Sequence, residues 1–315
     1  MMKNIILGID TSNYTTSVAV MTKDGELLAN IKRPLLVAEG ERGLRQSDAV
    51  FSHIKNIPSA MVEAREYIEN NRVIAVGVSE RPRNQDGSYM PCFLSGVAVS
   101  EAISAALCVP LYKFSHHCGH IMAAVYSSGR TDLLDKSFGA FHISGGTTEL
   151  LKVNGYTSDG FNAELVGGTL DLNAGQIVDR IGVYMGLKFP AGPEMEAFAL
   201  QNDKKIPKRK ISGEGMNINL SGVENIAKKL YDDTKDKALT SAFVFDYLSR
   251  AFIVMCEEYR DKFGECPFLF AGGVMSNSII KNVIKEHYES YFAIPTLSAD
   301  NAVGIACLTK RALIK

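Results

Sequence analysis

Phe141 to Val153, F-H-I-S-G-G-T-T-E-L-L-K-V, sets a glycine turn between two apolar runs, and the fold is read outward from it. Run, turn and run predict a β-hairpin, with Gly145 and Gly146 free to take the positive φ of a tight turn. Two glycines followed by the hydroxyls of Thr147 and Thr148 leave backbone N–H groups uncovered, chemistry suited to an anionic phosphate. A purely structural hairpin has the same pattern, so the turn does not decide function by itself.

The N-terminus repeats the arrangement. Ile5 to Met21, I-I-L-G-I-D-T-S-N-Y-T-T-S-V-A-V-M, is again an apolar run, a small polar turn and an apolar run, which suggests an internal structural duplication. A third glycine turn, Leu269 to Ser278, follows an apolar run and precedes a helical pattern, the strand-to-helix arrangement that suits nucleotide binding. Three such turns in this order describe a cleft between two lobes.

At 315 residues the chain is long enough for about two domains. Its 46% hydrophobic and 22% charged residues give an ordinary globular balance. A formal net charge of -1 provides no global basic field for nucleic acid, so any RNA contact must be local. Cys92, Cys108, Cys118, Cys256, Cys266 and Cys307 form no C-x-x-C pair and read as packed thiols in a reduced, cytoplasmic setting. The chain begins on a strand pattern without a signal-peptide arrangement, and no apolar run approaches the roughly 18 residues of a membrane span.

In order, Asn4–Asp10, Ser17–Thr22 and Glu26–Arg33 read as strands. From Gln46 to Glu69, Val50, Phe51, Ile54, Ile57, Met61 and Ile68 recur at helical spacing interrupted by Pro58, predicting a long or broken helix. Val73–Val78 is a strand, Glu80–Gly87 a polar loop with two arginines, Phe93–Leu107 a small-residue helix and Leu111–Phe114 a strand. The following Ser115-His116-His117-Cys118-Gly119-His120 opens another helix. His116 and His120 stand at i and i+4, about 40° apart around it, so both imidazoles can point at one ion. His117 with His120 at i+3 is an alternative pair, and a polar helix start with one capped histidine is the plainer reading.

Asp300, before the small-residue helix Val303–Leu313, is a candidate third ligand, although Asp beside Asn at a helix start is also a common N-cap. Two imidazoles and a carboxylate would leave open positions on a divalent metal such as Fe²⁺ or Zn²⁺. Between these stretches, Gly167 to Asp171 leads to a helix on which Ile177, Ile181, Tyr184 and Met185 form the apolar stripe. Asp179 lies off that stripe and can face a cleft. Ala191-Gly192-Pro193 reads as a stop and turn that allows close backbone approach. Lys204–Lys210, K-K-I-P-K-R-K, is the one dense basic run; it reads as a solvated loop or as a source of phosphate contacts.

The ordered set His116-x-x-Gly119-His120, Ser144-Gly145-Gly146-Thr147-Thr148, Asp171 through Asp179 to Pro190-x-Gly192-Pro193-x-x-Glu196, Ser221-Gly222, Ala271-Gly272-Gly273-Val274 with Asn277, and Asp300-Asn301-Ala302 resembles the TsaD family. These are the tRNA threonylcarbamoyladenosine synthases formerly called O-sialoglycoprotein endopeptidases, and the likeness covers nearly the whole chain. It implies an α/β fold of the sugar kinase, Hsp70 and actin superfamily, with two ribonuclease-H-like lobes around a nucleotide cleft. The implied bounds are 1–131 and 132–299, with a C-terminal helix at about 300–315 returning to the first lobe.

It also implies one divalent metal, iron or zinc, on His116, His120 and Asp300. An adenine nucleotide or acyl-adenylate would be met by Ser144, Gly145, Gly146, Thr147, Thr148, Asp179, Gly192, Glu196, Gly272, Gly273 and Asn277. In that family a threonylcarbamoyl group moves from its adenylate to an adenosine beside the tRNA anticodon, within a tRNA-modification complex with other protein subunits and away from membranes.

The departures are specific. Family S-C-D-E-T becomes Ser12-Asn13-Tyr14-Thr15-Thr16, which removes a pair of acids, and H-x-E-G-H becomes His116-His117-Cys118-Gly119-His120. Glu80-Arg81-Pro82-Arg83 replaces a small glycine-rich loop, and Glu149 follows the two threonines of the turn. Two readings result: a metal-dependent carbamoyl-type transferase acting on tRNA or another amine, and a non-catalytic nucleotide-binding paralogue serving as a partner subunit.

Overall fold

The computed structural model describes residues 2–12, 14–36, 44–85, 87–157, 160–298 and 302–314. In chain order, β1 is Asn4–Asp10, β2 Thr15–Thr22, β3 Leu27–Pro34, α1 Gln46–Ile68, β4 Arg72–Arg81, α2 Phe93–Leu107, β5 Leu111–Ser115 and α3 His116–Ser128. Next come β6 Phe138–Ile143, β7 Thr148–Thr157, β8 Gly160–Thr169, α4 Ala174–Tyr184, α5 Gly192–Ala199, β9 Ser212–Glu214 and β10 Asn217–Asn219. The chain continues with α6 Ser221–Thr234, α7 Lys237–Phe263, β11 Phe268–Ala271, α8 Ser278–His287, β12 Ser290–Phe292, α9 Pro295–Ser298 and α10 Val303–Ile314. It divides into two compact units: Met1–Leu134 with Gly155–Asn162 and Thr296–Lys315, and Asp135–Asn154 with Ala163–Pro295.

In the first unit the sheet runs β3-β2-β1-β4-β5. The predicted N-terminal hairpin is there, with β1 and β2 antiparallel from Ile5 opposite Thr22 to Asp10 opposite Ser17, while β4 joins β1 in parallel. Ile5, Leu7 and Ile9 share one core with Val18, Val20, Ala60, Ala64, Val76 and Val78. On the other face Gly8 meets α10 so closely that a Cβ would lie 2.6 Å from the Ala302 carbonyl oxygen.

The stretch expected to be long or broken is one helix, α1, with Pro58 inside it on the exposed side. Its buried face is Ala49, His53, Ile57, Ala60 and Ala64, whereas Phe51 and Ile54, read as apolar-face positions, are exposed. Close packing of small residues against the sheet outweighs the helix-breaking cost of a proline.

The second unit carries the sheet β12-β11-β6-β7-β8-β10-β9. The predicted hairpin around Gly145 and Gly146 is β6 paired antiparallel with β7, from Phe138 opposite Val153 to Ile143 opposite Thr148. Contrary to expectation, neither Gly145 nor Gly146 adopts the left-handed conformation. The connection is a four-residue loop in which the Ser144 N–H donates to the Thr147 carbonyl at 2.8 Å, and left-handed residues are obligatory only in tighter two-residue turns.

Behind the sheet, α7 is long and apolar enough to cross a membrane, yet most of it is buried within this unit's core with Phe141, Phe268 and Phe270. It is a core helix that is apolar almost all round. Ala191-Gly192-Pro193, read as a stop, is the first turn of α5, with Ala191 as N-cap and Pro193 in the first positions, where a missing N–H costs nothing.

Candidate functional site

Two constellations stand out, one in each unit. In the second, a cavity of about 360 Å³ is lined by Gly145, Asp179, Gly192, Glu196, Gly273 and Asn277, among others. Five sequence-distant segments build it, and backbone contacts join several of them. Gly272 holds the end of β11 against that of β6: its φ is +102°, and a Cβ there would lie 2.1 Å from the Ile143 carbonyl oxygen. Only glycine permits both the conformation and the approach. The Ser144 carbonyl accepts from Gly175 N–H at 3.2 Å, which sets the start of α4 beside the hairpin turn.

Asp179 on α4 accepts from the Ala191 N–H at 2.8 Å and fixes the α4–α5 connection, while its carboxylate keeps further acceptor capacity on the cavity wall. Glu196 accepts from the backbone N–H of Ser278 at 2.7 Å and from its hydroxyl. Asn277 caps α8, its side-chain oxygen accepting from Ile280 N–H at 3.0 Å. Its Nδ2 is buried with no hydrogen-bond partner among the described residues, and the residue lines the cavity wall. Carboxylates here suit the hydroxyls of a sugar, and Gly145 and Gly273, with no atom within 4 Å of a would-be Cβ, leave room for a ligand against backbone.

The remaining expected nucleotide residues are placed differently. Ser144, Gly146 and Thr147 form the turn without lining the cavity, and Gly272 is a packing residue. Thr148 is buried and its hydroxyl accepts from the Ala174 N–H at 2.9 Å, so it positions α4 and is not presented to a ligand.

In the first unit, His116 and His120 are the pair that meet: their ring centroids on α3 are 4.3 Å apart, nearly perpendicular. His116 Nδ1 lies 2.8 Å from Asp10 Oδ2. Asp10 is buried, and its Oδ1 accepts from Ser12 N–H at 2.9 Å and Ser79 Oγ at 2.6 Å. A carboxylate only accepts, so Nδ1 carries a proton, and in the neutral ring Nε2 is then the lone-pair atom, the arrangement common behind metal-bound imidazoles. Sequence reading missed Asp10. Its signal was an acid closing the first strand, but its partner is 106 positions away.

Asp300 and Asn301 lie outside the described residues, among which no three potential ligands cluster. Two imidazoles with one ring oriented by a carboxylate fit a divalent ion as donor chemistry. Gly119, between them in sequence, is where α10 crosses: a Cβ on Gly304 would lie 1.8 Å from the Gly119 carbonyl oxygen.

Cys118 is buried on another side of α3, donating to the Phe161 carbonyl at 3.4 Å, and burial pushes its thiol up despite that bond and one with Ser115. It packs as a small hydrophobe. The loop that departs from the resemblance is fastened by Pro82, whose carbonyl accepts from His117 N–H at 3.0 Å. In the altered N-terminal turn Thr16 is buried with its hydroxyl 2.8 Å from His53 Nδ1, while Tyr14 is partly exposed.

Comparison with known proteins gives the family. A model described as TsaD, tRNA N6-adenosine threonylcarbamoyltransferase, matches residues 38–307. A relative of that name from Neorickettsia sennetsu is 25% identical over 324 residues, covering 100% of this chain and 92% of its own. Another from Streptococcus pneumoniae is 28% identical over 319 residues, covering 96% and 90%.

Among solved structures, full-length HypF in a phosphate- and nucleotide-bound form aligns with TM-score 0.59 at 12% identity, over 99% of this chain and 56% of HypF. The chain thus spans about half of that protein. A ROK family glucokinase from Streptomyces griseus, solved with glucose and AMPPNP, aligns with TM-score 0.53 at 13% identity over 99% of this chain and 100% of its own. These identities speak for the fold alone, the α/β architecture of sugar kinases and actin-like ATPases. With most of its length matched by the family model, the chain belongs to the TsaD family of tRNA N6-adenosine threonylcarbamoyltransferases.

Proposed function

We propose that this protein transfers a threonylcarbamoyl group from its adenylate to the N6 amine of an adenosine in tRNA, with a divalent metal bound by His116, His120 and Asp300. The observation that carries the proposal is the cavity in the second unit, lined by Asp179, Glu196, Asn277 and glycine backbone. Asp179 and Glu196 would hold the ribose hydroxyls and the Asn277 amide an acceptor of the adenylate. The amine attacks the carbamoyl carbon, the bond to the phosphate oxygen breaks, AMP leaves and the amine proton is released. No serine or cysteine nucleophile is needed. A bound metal would supply a Lewis acid for charge developing on carbamoyl or phosphate oxygens; Asp10 keeps the His116 ring in register for it. Protein subunits of a modification complex are consistent with the exposed Phe51, Ile54 and Val62 of α1 and Leu94 and Leu107 of α2.

A second reading has its own observation. Tyr14 and Thr15 stand where the resemblance expects acids, so a nucleotide-binding subunit without transfer activity would retain the cavity. The two are separated by incubating the metal-loaded protein, alone and with candidate partner subunits, with threonylcarbamoyl-adenylate and unmodified tRNA. The digested nucleosides are then analysed by mass. Threonylcarbamoyladenosine supports transfer; intact adenylate binding with no product under either condition supports the subunit.

A further inference from the structure

Lys204–Lys210 has no regular secondary structure, yet it is pinned along α7. Lys204 pairs with Asp236 at 2.6 Å, and Lys208 pairs with Asp246. The Arg250 guanidinium donates to the Arg209 carbonyl at 2.7 Å, and Tyr247 Oη accepts from Ser212 N–H at 3.2 Å. Ile206 and Ile211 tuck against the core. The α7 acids thus anchor two of the five cations. Lys205, Arg209 and Lys210 remain exposed, with no ion pair among the described residues.

We infer that this strap is a docking surface for RNA phosphates, an inference that rests on the tRNA reading above. The chain has net charge -1 with +5 in these seven residues, so the rest carries -6, and a polyanion has reason to approach at the strap. Because the backbone is already fixed, little ordering entropy is lost on binding. A protein interface of ordinary affinity would need an apolar or aromatic anchor, whereas the strap's one large apolar side chain, Ile206, turns inward. A phosphodiester backbone needs only the cations.

The test measures tRNA affinity by fluorescence anisotropy between about 50 and 200 mM KCl. It compares the wild type with the triple variant Lys205→Ala, Arg209→Ala, Lys210→Ala and with the charge-preserving Lys205→Arg, Lys210→Arg. Each phosphate contact adds about 0.7 to 0.9 to the slope of log affinity against log salt, so the triple variant should lose about 2 to 3 of slope. Its affinity should accordingly change about 15- to 60-fold less than that of the wild type across that salt range. The arginine variant should keep the wild-type slope.

An unchanged slope in the triple variant overturns the proposal, as does equal binding of polyglutamate by the wild type. Binding of AMP, followed by calorimetry on the same samples, tells the two readings apart. AMP bound without tRNA leaves the cavity reading standing and sinks the strap. tRNA bound without AMP, with the slope loss in place, does the opposite.

Discussion

Asn277 lines the cavity wall; its oxygen caps α8, and its Nδ2 is buried with no partner among the described residues. Asn277→Asp keeps an acceptor for the cap and removes the donor. AMP affinity should fall about 10- to 100-fold, the cost of an unmade hydrogen bond in a desolvated site. Equal affinity in a titration would remove Asn277 from the site. Asp10 orients the His116 ring through Oδ2 and holds Ser12 and Ser79 through Oδ1. Asp10→Asn preserves shape and gives up the charge that orients the ring, so metal retained after dialysis against a chelator should correspond to an affinity 10- to 100-fold weaker. Metal content indistinguishable from wild type would show the contact to be structural. At this scale helical spacing narrowed the histidines to the pairs 116/120 and 117/120, and the structure brings the first pair together. Asp10 was not legible, since no local rule links the end of one strand to a helix 106 positions on.

At the scale of elements, Asp171 joins the end of β8 to the start of α6, accepting from Leu172 N–H at 2.6 Å, Leu220 N–H at 2.7 Å and Ser221 N–H at 3.1 Å. Burial pushes its carboxyl up, but the Ser221 hydroxyl and these N–H groups outweigh that and hold it at about 2, against an ordinary 3.8. Its stabilising contribution is thus complete above the ordinary value and is lost as pH falls from about 4 through 2. Since Asp171 is largely exposed, that contribution is about 1 kcal/mol or less. Asp171→Asn should be less stable to urea at neutral pH, and the gap to wild type should close as pH falls through that window. A gap constant with pH would assign the effect to something other than the charge.

The α3–α10 crossing offers a sterner test. Gly304→Ala pushes a methyl into the Gly119 carbonyl and should cost about 3 kcal/mol in denaturant unfolding, disturbing the helix that carries both histidines. Gly222→Ala in the first turn of α6, where a Cβ meets nothing within 4 Å, should be neutral or slightly stabilising. Equal losses for both would contradict the packing account.

For the whole molecule, the two candidate sites belong to different units: Asp179, Gly192, Glu196 and Asn277 to the second, His116 and His120 to the first. Hydrogen exchange should accordingly separate them. AMP should slow exchange first around α4, α5 and the start of α8, and an added divalent metal should act first at the start of α3. Protection by AMP confined to α3 would refute the assignment of the cavity. What the sequence by itself determined was local. Alternating and helical apolar spacing predicted both hairpins, most of the strands and helices, and the glycine turns, because each depends on neighbours along the chain. The short strands β9, β10 and β12, the true buried face of α1 and the start of α5 were not read, because partners far along the chain define them. Only the tertiary structure decided that Gly145, Asp179, Gly192, Glu196, Gly273 and Asn277 share a wall, that Thr148 is spent on a helix start, and that Asp10 reaches His116. The reason is physical: a cavity is a property of segments packed together, and close backbone approaches at Gly272 and Gly304, invisible to any local pattern, set which segments those are.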